Sequence, residues 1–325
     1  MIVERRKVLS LAAGAAAAPI LPLAARADTP APRSIHIVVG FTPGGIEDIA
    51  ARLVSQPLAQ RLDRSVVVDD RPGAGGNLGT EAVAEAHPDG GTLILASSKN
   101  AINAALYKKL PFDFMRDIAM VAGILQTPLV MLTNPSFPAK SVGELISYAK
   151  AHPGKINMGS AGNGTTMHLS GELFKMMAGV SIVHVPYRGG EEARSDLVAG
   201  RTQLMFANLG MSLGFIRDGR LRALAVTSAK ASPVAPEIPP LAAAVPGYEV
   251  TAWYGLGAPK ATPAGTVAEL NAAVNASLAE AAIANRIRDM GAEPMIMSPS
   301  GLDAFVAAET AMWAKAVEFS GAKVD

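Results

Sequence analysis

Ser160, His168 and Glu172 are the residue types of a hydrolytic triad, and Ser160 sits in Gly159-Ser160-Ala161-Gly162, between a predicted strand and a predicted helix. The segment departs from the nucleophile elbow G-x-S-x-G, because no glycine stands two positions before the serine. His168 and Glu172 are also four apart on one predicted helix, a spacing that places them on one helix face. A hydrolase or lyase working through Ser160 and His168 is therefore the alternative reading rather than the leading one. Gly73-Ala74-Gly75-Gly76-Asn77-Leu78-Gly79 approaches a dinucleotide fingerprint, but its last glycine falls one residue late and Asp69-Asp70-Arg71-Pro72 separates it from its strand. It reads instead as a loop presenting backbone N–H groups, Gly75 among them. The five histidines form no metal-binding pair and there is no cysteine, so no metal and no cofactor are expected.

The remaining chemistry lies in the backbone. Ile35 to Val39 reads as an apolar strand, Thr42-Pro43-Gly44-Gly45 as a glycine-bearing turn, and the stretch after it as an amphipathic helix with Ile46, Ile49, Ala50, Leu53, Val54 and Leu58 on one face. Such a junction points unpaired N–H groups and the positive end of the helix dipole at one spot. The chain builds a second junction of this kind at Asn157 to Met177, where Ser160, Gly162, Gly164, Thr165 and Thr166 gather before a helix. Two lobes facing each other across such turns could clamp an anion through neutral donors, without burying an arginine. Ser97 to Asn103 stands at the carboxyl end of a strand, where open α/β sheets place ligands.

Composition narrows the classes. The 325 residues carry a formal net charge of +1 and only 5% aromatics, which argues against nucleic acid as a partner. Half of the residues are hydrophobic, enough for one large or two medium domains. Arg5-Arg6-Lys7, the apolar run from Val8 to Leu23 and Ala25-Arg26-Ala27 have the three parts of a secretory signal cleaved after Ala27. The paired arginines resemble a twin-arginine signal in part.

Strands alternating with helices predict an α/β fold with mostly parallel sheets. Ile118 to Leu132 reads as a strand crossing into a second lobe, and Tyr248 to Ala258 as the strand leading back. The expected division is an export signal at 1–27, a discontinuous first lobe at 28–124 plus 251–325, and a second lobe at 125–250. Ser232 to Pro246 is proline-rich and reads as a surface excursion, and Thr262 to Met290 as containing one long helix.

The motifs FTPGGIED, RPGAGGNLG, GSAGNGTTMHLSGELF, VPYRGG and QLMFANL, in this order behind an export signal, resemble the tripartite tricarboxylate transporter substrate-binding family, also called the Bug family of periplasmic receptors. The resemblance implies a two-lobed Venus-flytrap fold that holds a small carboxylate in the interlobe cleft and is not an enzyme. It implies membrane transporter subunits as partners, with the receptor itself a monomer. By motif position the first-lobe loop maps to Phe41, Thr42, Gly44, Gly45 and Asp48. The second-lobe loop maps to Ser160, Gly164, Thr165, Thr166 and His168, with Tyr187 in the VPYRG turn and Asn208 after the MF strand. Thr42 stands where many members have proline, which adds a hydroxyl donor.

Overall fold

The computed structural model describes residues 32–324. The expected export signal lies outside them. The chain opens with three parallel strands and their helices: β1 (Ser34–Val39), α1 (Ile46–Leu62), β2 (Ser65–Asp70), α2 (Asn77–Ala84), β3 (Thr92–Ser97) and α3 (Ser98–Leu106). A short helix α4 (Phe114–Asp117) then leads into β4 (Ile118–Thr133), a strand of 16 residues. The second group follows as α5 (Val142–Ala151), β5 (Asn157–Ser160), α6 (Thr166–Ala178), β6 (Val183–Pro186), α7 (Gly190–Val198), β7 (Leu204–Asn208), α8 (Leu209–Arg217) and β8 (Arg222–Val226). The return strand β9 (Thr251–Pro259) precedes α9 (Ala264–Leu278), α10 (Ala281–Asp289), β10 (Glu293–Pro294) and α11 (Pro299–Ser320).

The strand order is β2-β1-β3-β9-β4-β7-β5-β6, with β8 and β10 also paired to β4. The outer strands of each group run parallel, while β9 and β4 between them run antiparallel to their neighbours. The two groups meet in β4. Up to Pro128 it pairs with β9, and from Leu129 onward it pairs with β7. Proline offers no N–H to a ladder, which suits the point where one strand changes partners. Thr227 ties the crossing together: its fully buried hydroxyl lies within hydrogen-bond reach of the Leu129 and Val250 carbonyls and accepts the Leu129 N–H at 2.7 Å.

Local sequence explains the helix starts. Ser97, Ser141, Thr165 and Ser298 each place a side-chain oxygen on an N–H of the first helical turn, which satisfies donors that otherwise have no partner. One core packs α1 and α9 against β1, β3, β4 and β9. Another runs continuously from α3 and α11 to α6 and β7, and holds Trp253, Trp313, Phe174, Phe206 and Tyr248. Burial of each such ring contributes about 1.5–3 kcal/mol, so α11 stands as a common wall behind both strand groups. One expectation changes. Ala235, Ile238 and Leu241 of the proline-rich passage are buried, and Pro240 bridges to Val226, so that passage covers the sheet edge rather than leaving it. The long helix expected within Thr262 to Met290 is α9, which starts directly after Pro263, and the separate α10 follows it.

Candidate functional site

At the carboxyl end of β1 the backbone runs hard against the loop before α2. A Cβ on Gly40 would lie 2.7 Å from Gly76 Cα, and one on Gly76 would lie 2.9 Å from the Phe41 ring. Only glycine allows this approach. Gly44 has φ +82° and donates its N–H to Asp48 Oδ2 at 2.8 Å. Asp48 is buried and also meets Arg52, which reaches on to Asp70 at 3.0 Å. Asp48 thus closes the turn from within. Gly45 begins α1 without a side-chain cap, so the first-turn amides remain as donors. Thr42 is exposed beside them.

The neighbouring loop has four successive positive φ values, 151° at Gly73, 48° at Ala74, 65° at Gly75 and 94° at Gly76. It is bolted to α3: Tyr107 donates its hydroxyl to the Ala74 carbonyl at 3.2 Å, and Asn103 donates to the Gly75 carbonyl at 3.0 Å. Ser97 is buried as the cap of α3, accepting the Lys99 N–H, while its own N–H goes to Asn100 Oδ1.

In the second group, β5 runs through Gly162 and Gly164, at φ +113° and +70°, into α6. Thr165 caps that helix by accepting the His168 N–H, and its hydroxyl donates to the Gly162 carbonyl at 2.8 Å. Ser160 is fully buried; its Oγ accepts the Gly162 N–H and lies 2.6 Å from His184 Nε2. The alternative enzyme reading needs Ser160 paired with His168, and that pair is not formed. His168 Nδ1 instead accepts the Gly164 N–H at 3.1 Å, and its Nε2 faces Glu172 at 3.5 Å. The His168 and His184 rings stack at 3.7 Å. Burial, reinforced by His168, lowers the His184 pKa to about 4, which makes it a poor base near neutral pH. Burial works to raise the Glu172 carboxyl, yet hydrogen bonds from His168 and Lys175 leave it lowered overall.

The loops converge on α3. Gly164 packs so closely on Leu106 that a Cβ would stand 2.3 Å from Leu106 Cδ2, while Phe41, Gly75 and Gly76 gather around the same helix and its start. Thr166, in the first turn of α6, enters with Gly164 and Thr165. Tyr187 lies against Gly159 and Gly162 of the same loop; its hydroxyl donates to Asp196 at 2.7 Å, and burial together with that carboxylate pushes it up to about 12. Asn208 ends β7 opposite Leu129, at the position where β4 changes partners. Among the described residues no group of three or more histidine or acidic side chains could hold a metal ion. What converges is a set of backbone amides and small side chains, suited to an anion.

The sequence matches the tripartite tricarboxylate transporter family receptor over residues 50–321. The chain belongs to that family. An R. palustris protein solved with adipate is 38% identical, with a TM-score of 0.75 over 90% of this chain and 98% of its own. MatC from Rhodopseudomonas palustris, with bound malate, is 32% identical, with a TM-score of 0.72 over 88% of this chain and 99% of its own. The periplasmic binding protein BugD is 31% identical, with a TM-score of 0.71 over 90% of this chain and 98% of its own. The two-lobed fold of this receptor family is therefore the fold of this chain, and its role is solute binding.

Within this receptor, three site neighbours escape a reading of the sequence. His184 lies 24 residues from Ser160, and only the parallel pairing of β5 with β6 brings the two together. Leu106 meets Gly164 through packing alone. Lys99 holds its ammonium 5.1 Å from the centroid of Phe41; its signal was its place within Ser97 to Asn103, at the carboxyl end of a strand.

Proposed function

We propose that this chain is a periplasmic receptor that captures a small carboxylate between two lobes and delivers it to a tripartite tricarboxylate-type transporter. The lobes are residues 28–124 with 251–325, and residues 125–250; the export signal 1–27 is removed after Ala27, and the mature receptor is a monomer. The observation that carries this reading is the convergence of two glycine-bearing strand-to-helix junctions on α3. The ligand donors are the first-turn amides of α1, the Thr166 and Met167 amides of α6, and the Thr42 hydroxyl. The hydroxyls of Ser160 and Thr165 are already engaged within their own loop and shape it. Asp48 and His168 do the same for the amides of Gly44 and Gly164. Adipate and malate, held by two relatives, mark the ligand class.

The test is a thermal-shift screen of mono-, di- and tricarboxylates, followed by calorimetric titration of the acids that stabilise the protein. A stoichiometric complex whose ligand is recovered unchanged is expected. Chemical conversion of the bound acid, or no stabilisation by any carboxylate, overturns the reading.

A further inference from the structure

At the carboxyl edge of β1 and β3 the charges are unevenly matched. Arg52 is engaged by Asp48 and Asp70, and Arg71 by Asp69. Lys99, half-buried in the first turn of α3, makes no salt bridge with any described residue; its ammonium rests against the face of Phe41. Phe41 directly precedes the Thr42–Gly45 turn, so this cation rests on the residue that leads into the turn assigned to the ligand. Facing it is Glu47 from α1, and behind Glu47 lies Tyr254 from β9, which pairs in register with Ser97. Burial raises the Glu47 pKa, and the charge of Lys99 works in the opposite direction. Burial also raises the Tyr254 pKa, as does the charge of Glu47.

The backbone donors of the two loops can satisfy one carboxylate. A second carboxylate on the same ligand would enter a wall that carries Glu47, where like charges repel it. An ammonium on a flexible stem, partly desolvated and held in no salt bridge, offsets the Glu47 charge and adds charge-assisted hydrogen bonds. We propose that Lys99 is the specificity-determining residue of the cleft, reading a second carboxylate while the loop amides hold the first. Phe41 supports it by a cation–π contact that keeps the ammonium at the wall until a ligand arrives. This inference rests on the receptor reading above.

The experiment is calorimetric titration of succinate, adipate and suberate against butyrate, hexanoate and octanoate, with the wild-type chain, Lys99→Gln and Lys99→Arg. The wild type is expected to bind at least one diacid about tenfold or more tightly than its matched monoacid. Lys99→Gln should abolish that preference while monoacid affinity stays within about twofold and the melting curve is unchanged; Lys99→Arg should retain it. A diacid preference that survives Lys99→Gln overturns the inference, as does an equal loss for both kinds of acid, which is the signature of a structural role. A wild type that binds acids without favouring diacids also overturns it and leaves the receptor reading standing. If no acid binds at all, the receptor reading fails and this inference fails with it.

Discussion

Gly164→Ala probes the convergence of the two loops on α3 with a single methyl group. Gly164 has φ +70°, so alanine there is strained by about 1–2 kcal/mol, offset by about 0.4–1 kcal/mol from a less flexible unfolded chain. The free protein should lose about 1 kcal/mol and melt about 2–4 °C lower. A second effect acts across the cleft. The new Cβ stands 2.3 Å from Leu106 Cδ2, and Leu106 is itself packed in the core, so the contact cannot be relieved by a side-chain swing alone. Overpacking of this kind costs about 1–3 kcal/mol. Gly164 and Leu106 belong to different strand groups, so the expected relief of the clash is a wider separation of the two groups. The cost then falls on ligand capture, as an affinity loss of about five- to 150-fold. Calorimetric titration of Gly164→Ala, Leu106→Ala and the double variant separates the two effects as a double-mutant cycle. In the Leu106→Ala background the affinity loss should largely vanish while the drop in melting temperature remains. Wild-type affinity in Gly164→Ala, or a full loss that persists without the Leu106 side chain, refutes the convergence argument.

Other substitutions test the assignments around it. Tyr187→Phe removes the hydrogen bond to Asp196 and should cost about 0.5–1.5 kcal/mol of stability with no change in ligand affinity; a clear affinity loss would return its hydroxyl to the site. His184 has a folded pKa of about 4, below the ordinary histidine value of 6.5, so its neutral form stabilises the fold above pH 6.5 and that contribution is lost as pH falls toward 4. His184→Gln should flatten the decline of melting temperature across that window, and an unaltered slope counts against the stacked histidine arrangement. Glu309, buried and accepting the Trp313 N–H at 3.0 Å, is pushed up to about 7, chiefly by burial. Its contribution is favourable below pH 4.5 and is lost as pH rises through 7, a difference of roughly 3 kcal/mol. Glu309→Gln should therefore raise the melting temperature at pH 8 and leave it nearly unchanged at pH 4; a lower value at pH 8 refutes this.

The glycine turns at Thr42–Gly45 and Ser160–Thr165 were legible because their chemistry is local. A positive φ favours glycine, and a hydroxyl three residues before a helical N–H makes a cap; both are fixed within a few positions of chain. The same holds for the apolar stripe of α1 and for the alternation of strands and helices. The sequence itself therefore determined the α/β class, the two strand-to-helix junctions and the anion chemistry they allow. Its ordered motifs determined the receptor family.

Tertiary structure decided which of those groups are free to act. Asp48, Ser160, Thr165 and His168 are polar residues at the right turns, yet each is committed to an amide, a carbonyl or a ring of its own loop. That commitment depends on His184 arriving beside Ser160 through strand pairing, and on Asp48 being buried where its carboxylate must find partners. The antiparallel setting of β4 and β9, the change of partners at Pro128 and the clasp of Thr227 join residues about a hundred positions apart, so no local pattern encodes them. Lys99 stayed hidden for the same reason: a half-buried lysine on a helix gives no sign in sequence of the aromatic face it rests on. Packing across the sheet edge is what sets its ammonium beside Phe41, in a wall where it makes no salt bridge with any described residue.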